Sequence, residues 1–183
     1  VWATSEQSWH LLSGDEQRAF QQLAVFRGGF DLDAAHSISG ISAETLAALI
    51  DKSLLRRDLH GRFDLHELLR QYAAEKLAAT PDVATATAVK HSVFYGQFLH
   101  AQVDRLSSDQ QAAAFAALNV EAENIRAAWR WAVDQRQWHL IRNSALDVMS
   151  WCDYQVYYTD GYHLFAEAIA HLQIGAAPIE ALD

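Results

Sequence analysis

The sequence predicts a mainly helical protein with one small β-hairpin, built in two parts, residues 1–80 and 81–183. Three observations carry that expectation. Ala and Leu recur throughout, with eight Gly and two Pro among 183 residues, so tight turns are few. Apolar residues return at helical spacing in segment after segment, whereas Arg62-Phe63-Asp64-Leu65 alternates polar and apolar as a half-buried strand does. Thr80-Pro81-Asp82 interrupts the helical pattern and divides the chain.

Taken in order, Ser13-Gly14-Asp15-Glu16 is a capping box that opens a helix burying Ala19, Phe20, Leu23 and Ala24. Arg27-Gly28-Gly29 ends it, since glycine accepts the left-handed conformation of a helix stop. Asp31 caps a second helix that Gly40 closes, and Ser42 caps a third with Leu46, Leu49 and Ile50 on one face. Leu54 to Arg57, a four-residue loop at Asp58-Leu59-His60-Gly61 and the strand from Arg62 to Leu65 form a hairpin. Three short helices and a hairpin make a winged helix. Directly after it Leu65, Leu68, Leu69, Tyr72 and Leu77 fall near helical spacing, which puts His66 at or beside a helix N-terminus. Free N–H groups and the positive end of the dipole favour a phosphate or carboxylate there. The bland alternative for His66 is a helix-start histidine satisfied by a backbone carbonyl or by Asp64.

Beyond Pro81 a long helix is expected with Val83, Ala86, Val89, Val93 and Phe94, then Ala101 and Leu106, on its apolar side, ending near Ser107-Ser108-Asp109. A short Ala-rich helix from Ala112 to Leu118 follows, then a separate one from Glu121. There Ile125, Ala128, Trp129, Ala132 and Val133 form one stripe, and Val120, Ala127 and Trp131 a second. A helix apolar on two sides belongs between neighbours, as in stacked arrays. Helices about Trp138 to Cys152 and Asp160 to Leu172 continue the stack, and a new pattern starts after Pro178. Sliding the chain by 36 residues lays Trp129 on Phe165 and Val133 on Ile169, a period that suits tetratricopeptide-like helix pairs. The fold class expected is therefore a winged helix followed by a tetratricopeptide-like helical array, whose concave surface fits a scaffold or sensor better than a catalyst.

Charge narrows the function classes. The chain carries a net charge of −9, so as a whole it repels nucleic acid and anionic membrane. Its third helix offers Glu44, Asp51 and Lys52, with almost nothing to read base edges. Arg56, Arg57 and Arg62 on the wing could touch phosphates, or could lie over the hairpin and pair with Asp58 and Asp64. Direct nucleic-acid contact is thus not expected, and a DNA-binding winged helix with a helical dimerisation or protein-interaction tail stands as the alternative. His66-Glu67-x-x-Arg70 misses the zinc motif because arginine cannot ligate, so no metal is expected. Glu121, Glu123 and Asp153 are expected at solvated helix termini and not as an acid–base pair. No residue is assigned a catalytic role. One cysteine, Cys152, excludes an internal disulfide and agrees with a reducing cytoplasm. No apolar run approaches the roughly 18 residues of a membrane helix. The chain begins at Val1 without Met, and it is expected to be a piece of something longer.

Five ordered blocks resemble a known family: Ser8-Trp9-His10-Leu11-Leu12; Leu23-Ala24-Val25-Phe26-Arg27-Gly28-Gly29-Phe30; Leu49-Ile50-Asp51-Lys52-Ser53-Leu54-Leu55; Arg62 through Ala73; and Glu123-Asn124-Ile125-Arg126-Ala127-Ala128. Together, over residues 8 to 172, they resemble bacterial STAND-type signalling ATPases, many of them transcriptional regulators. The resemblance implies an upstream NTPase (NB-ARC) module, a winged helix and a tetratricopeptide-like sensor array for a protein or small-molecule inducer. No G-x-x-x-x-G-K-[ST] occurs, so ADP or ATP with Mg would be bound in the parent protein and no cofactor is expected in this segment. Leu65-His66-Glu67 occupies the place of the family's Met-His-Asp motif. His66 is then the group facing the β-phosphate of ADP once the NTPase module docks, and Glu67 replaces the aspartate that orients it.

Overall fold

The computed structural model describes residues 9–155 and 158–175, so the pattern expected after Pro178 lies outside the described residues. Helix α1 spans Gly14–Gln22 behind the complete capping box: the Ser13 hydroxyl accepts the Glu16 N–H at 3.2 Å and the Glu16 carboxylate accepts the Ser13 N–H at 2.7 Å. A 3-10 turn, Leu23–Val25, prolongs it. Helix α2, Leu32–Ser39, starts from the Asp31 carboxylate and stops at Gly40, left-handed at φ 70°. Ser42 caps α3, Ala43–Asp51. Strands β1, Arg56–Arg57, and β2, Phe63–Asp64, pair antiparallel with Arg56 opposite Asp64 and Arg57 opposite Phe63. Phe30, between α1 and α2, bridges Phe63 through N–H···O bonds of 2.9 and 2.8 Å and so ties the start of the domain to its wing.

The loop between the strands is longer than the four residues expected. The Asp58 carboxylate accepts the N–H groups of His60 and Arg62 at 2.8 and 2.9 Å, which draws Arg62 into the loop and delays β2 to Phe63. Helix α4, Glu67–Ala78, follows, and α5, Pro81–Leu106, begins with Pro81 in its first turn. Then come α6, Gln111–Asp134, α7, Trp138–Gln155, and α8, Tyr158–Gly175. Helix α5 packs on α6 and α7, and α6 and α7 pack on α8, so each helix meets the next and the one after. An apolar cluster runs from Phe20, Leu23 and Leu49 through Phe26, Phe30 and Tyr95 to Ile125 and Trp129 without a break.

Two expectations for the array are corrected. The Ala-rich segment and the helix after it form one continuous α6, because Leu118-Asn119-Val120 contains no residue that would stop a helix. On α5 the buried face is Thr87, His91, Ser92, Tyr95, Leu99, Gln102 and Leu106; Leu106 is buried as expected, while Ala86, Val93 and Ala101 are exposed. Polar residues are accepted on that face because the helices supply partners. The Thr87 hydroxyl donates to the Val83 carbonyl and accepts from Gln22, and Ser92 donates to the Ala128 carbonyl. On α6, Ile125, Ala128, Trp129, Ala132 and Val133 are all buried as expected, whereas Val120 of the second stripe is half exposed.

Candidate functional site

Where α4 begins, the chain leaves a cleft of about 360 Å³ against the end of α1 and β1. Arg27, Gly28, Arg56, His66, Glu67 and Arg70 are among the residues lining it. His66 is the N-cap of α4: its Nδ1 accepts the Leu68 N–H at 3.3 Å. An accepting Nδ1 is unprotonated, so the neutral ring carries its proton on Nε2 and is a hydrogen-bond donor there. Among the described residues its partner is therefore the start of its own helix, and neither Asp64 nor a carbonyl oxygen.

The Glu67 carboxylate is held within its own helix. It takes Arg70 bidentately, at 2.8 and 2.5 Å, and accepts a third bond from Gln71 at 2.8 Å. Arg70 beside it, with Gln71, holds that carboxyl down at about 2. Arg27 donates through Nη1 to the carbonyls of Ala24 and Phe26 at 2.7 and 2.9 Å, satisfying the end of the 3-10 turn. Burial, and the like charge of Arg70, depress its pKa. Arg27, Arg56 and Arg70 thus line the cleft together with Asp64 and Glu67 at a helix N-terminus, three cations to two carboxylates. The cleft is cationic in a chain of charge −9.

Behind the cleft lies a polar cluster that hydropathy conceals. Asn124 of α6 is fully buried; its Oδ1 accepts the Arg27 N–H at 2.7 Å, and its Nδ2 donates to the Gly29 carbonyl and to Glu121, each at 2.8 Å. Glu121 in turn takes Arg62 at 2.5 Å. Its expected place at a solvated terminus is corrected: it sits inside α6, 6% exposed, because an arginine 59 residues earlier reaches it. Spacing held the clue, since Glu121, Asn124, Ile125 and Ala128 continue one helical stripe. The same contact takes Arg62 away from the pairing with Asp58 and Asp64 that one reading of the wing gave it, while Arg57 lies over the hairpin as that reading has it. Arg62 turns to Glu121, Arg57 lies 5.7 Å over the Phe63 ring, and Asp58 caps its own loop. His91 and Tyr95 complete the cluster beneath Phe26. His100, by contrast, is exposed and pairs with Asp147 at 3.1 Å.

Among the described residues there is no group of three or more His, Cys, Asp or Glu side chains able to hold a metal ion. No helix among them is long and apolar enough to cross a membrane. Cys152 is buried beside Trp151.

The class that this architecture defines is a winged helix, and residues 12–78 match the family described as a winged helix-turn-helix domain. Among particular proteins, the chain is 32% identical over 140 residues to one from Mycobacterium tuberculosis and one from Mycobacterium bovis, each provisionally named an HTH-type transcriptional regulator. Those alignments cover 71% of this chain and 16% of each relative, so the chain spans about a sixth of their length. An uncharacterised M. tuberculosis protein is 36% identical over 102 residues, covering 49% of this chain and 26% of the relative. No solved structure matches the chain. These comparisons support the winged helix and not the signalling-ATPase or tetratricopeptide assignments.

Proposed function

We propose that the chain serves transcription regulation as a DNA-binding winged helix joined to a helical protein-interaction array, and that its duplex contact is made by the wing. The names borne by the mycobacterial relatives speak for this alternative over a nucleotide switch. The observation that carries it is the pair Arg56 and Arg57, both exposed on β1. The outward face of α3 has Ala43, Glu44, Ala47 and Asp51, which repel phosphate and offer no base-edge donor. Such a contact is weak, indifferent to sequence and strongly salt-dependent. A mobility shift of a mixed-sequence duplex at low salt tests it. The double variant Arg56→Ala, Arg57→Ala should lose the shift or lower its salt slope by about 2. A slope unchanged in the variant, or no shift by the unaltered chain, counts against the wing.

The cleft favours a second reading. With Arg27, Arg56 and Arg70 around a helix start and a donating imidazole at its cap, it suits a phosphate-bearing ligand. In the arrangement that the family resemblance implies, that ligand is ADP held by an adjoining NTPase module, and an inducer on the array releases the closed form. His66→Ala in the full-length protein should then speed ADP release and raise activity without inducer. Unchanged release sinks this reading.

A further inference from the structure

We infer that α6 of the helical array positions the wall of the cationic cleft through Asn124, so that displacement of the array is transmitted to residues 27–29 and from there to whatever the cleft binds. The inference rests on the phosphate-cleft reading for the use of this contact, not for its existence. The segment Arg27-Gly28-Gly29 has two sides. One lines the cleft. The other is held by α6 at both ends, through the N–H of Arg27 and the carbonyl of Gly29, on a single side-chain amide. Because that amide is planar and rigid, a tilt of α6 strains both bonds together. Glu121 extends the contact from Asn124 to Arg62 at the end of the wing loop.

The segment has little freedom to adjust on its own. A Cβ on Gly28 would come 3.4 Å from that of Glu123, and one on Gly29 would come 3.0 Å from the Phe63 carbonyl oxygen. It is therefore wedged between α6 on one side and β2 on the other, and both glycines hold positive φ, at 73° and 88°. When α6 shifts, the cleft wall and the wing loop at Arg62 shift with it.

The test uses the 183-residue chain, Asn124→Ala, and two readouts: backbone amide hydrogen exchange and titration with inorganic pyrophosphate. Exchange at the Phe30 and Phe63 amides, which Asn124 does not touch, should rise about tenfold or more, while those of Phe20 and Leu49 stay within about twofold. Pyrophosphate affinity should fall about fivefold or more. Raised exchange with unchanged affinity overturns the inference, as does an equal rise in α1 and α3, which makes Asn124 an ordinary core residue. Absence of pyrophosphate binding by the unaltered chain overturns the cleft reading itself. Should Asn124→Ala fail to fold, Arg62→Ala removes the far end of the contact while leaving Asn124 in place, and the same two readouts should move in the same direction by less.

Discussion

The winged-helix half and the array half are held together by different means. Helices α1, α2 and α3 are each started by a side chain, Ser13, Asp31 or Ser42, that accepts a first-turn N–H, and they are short. Helices α5 and α6 are long and have no side-chain cap at their starts. Their stability comes from the apolar seam they share, as expected of helices whose packing outweighs their ends. A short helix is thus sensitive to one polar residue at its end, and a long one to the bulk of its buried side chains.

Three substitutions or conditions separate the two halves further. The largest effect is expected from Trp129→Ala, which empties a buried site in α6 where the indole N–H donates to the Leu164 carbonyl at 3.1 Å and the ring meets Phe165 edge-on. A loss of roughly 3–5 kcal/mol in urea unfolding is expected, with the array and not the winged helix unfolding first. The second tests the seam between the halves. Burial pushes the His91 imidazole down to about 4, with Asn124 opposing. A base depressed in the folded state takes up its proton more readily when unfolded, so stability should fall as pH drops from about 6.5 towards 4, by up to about 3 kcal/mol. His91→Phe should flatten that slope, and a slope that persists places its origin elsewhere. The smallest belongs to the winged helix: Asp31→Ala should cost about 1 kcal/mol, read as a lower urea midpoint with an unchanged m-value. If Asp31→Ala cost as much as Trp129→Ala, the contrast would be wrong.

That contrast also decides what could be read in advance. Ser13, Asp31, Gly40 and Ser42 act on backbone groups within a few residues, so their signals are local and the helices they bound were legible. The buried side of α5 was not, because Thr87, His91 and Ser92 are polar, and for Thr87 and Ser92 it is partners on other elements that make burial tolerable. At the site, His66 was legible as a helix-start residue from its spacing alone. Glu67 was not legible as the partner of Arg70 and Gln71 instead of His66, since one side chain had several neighbours in reach. Glu121 and Asn124 were missed because their partners lie 59 and 97 residues away.

That separation also bears on the order in which the molecule assembles. Contacts within α1 to α4 close over short stretches of chain, whereas the bond from Arg27 to Asn124 spans 97 residues and closes against a larger entropy. During synthesis the wing and the cleft-lining loop emerge first, and the loop waits for its far wall until α6 has been made. A ribosome paused before residue 124 would therefore display a winged helix whose cleft is not yet set.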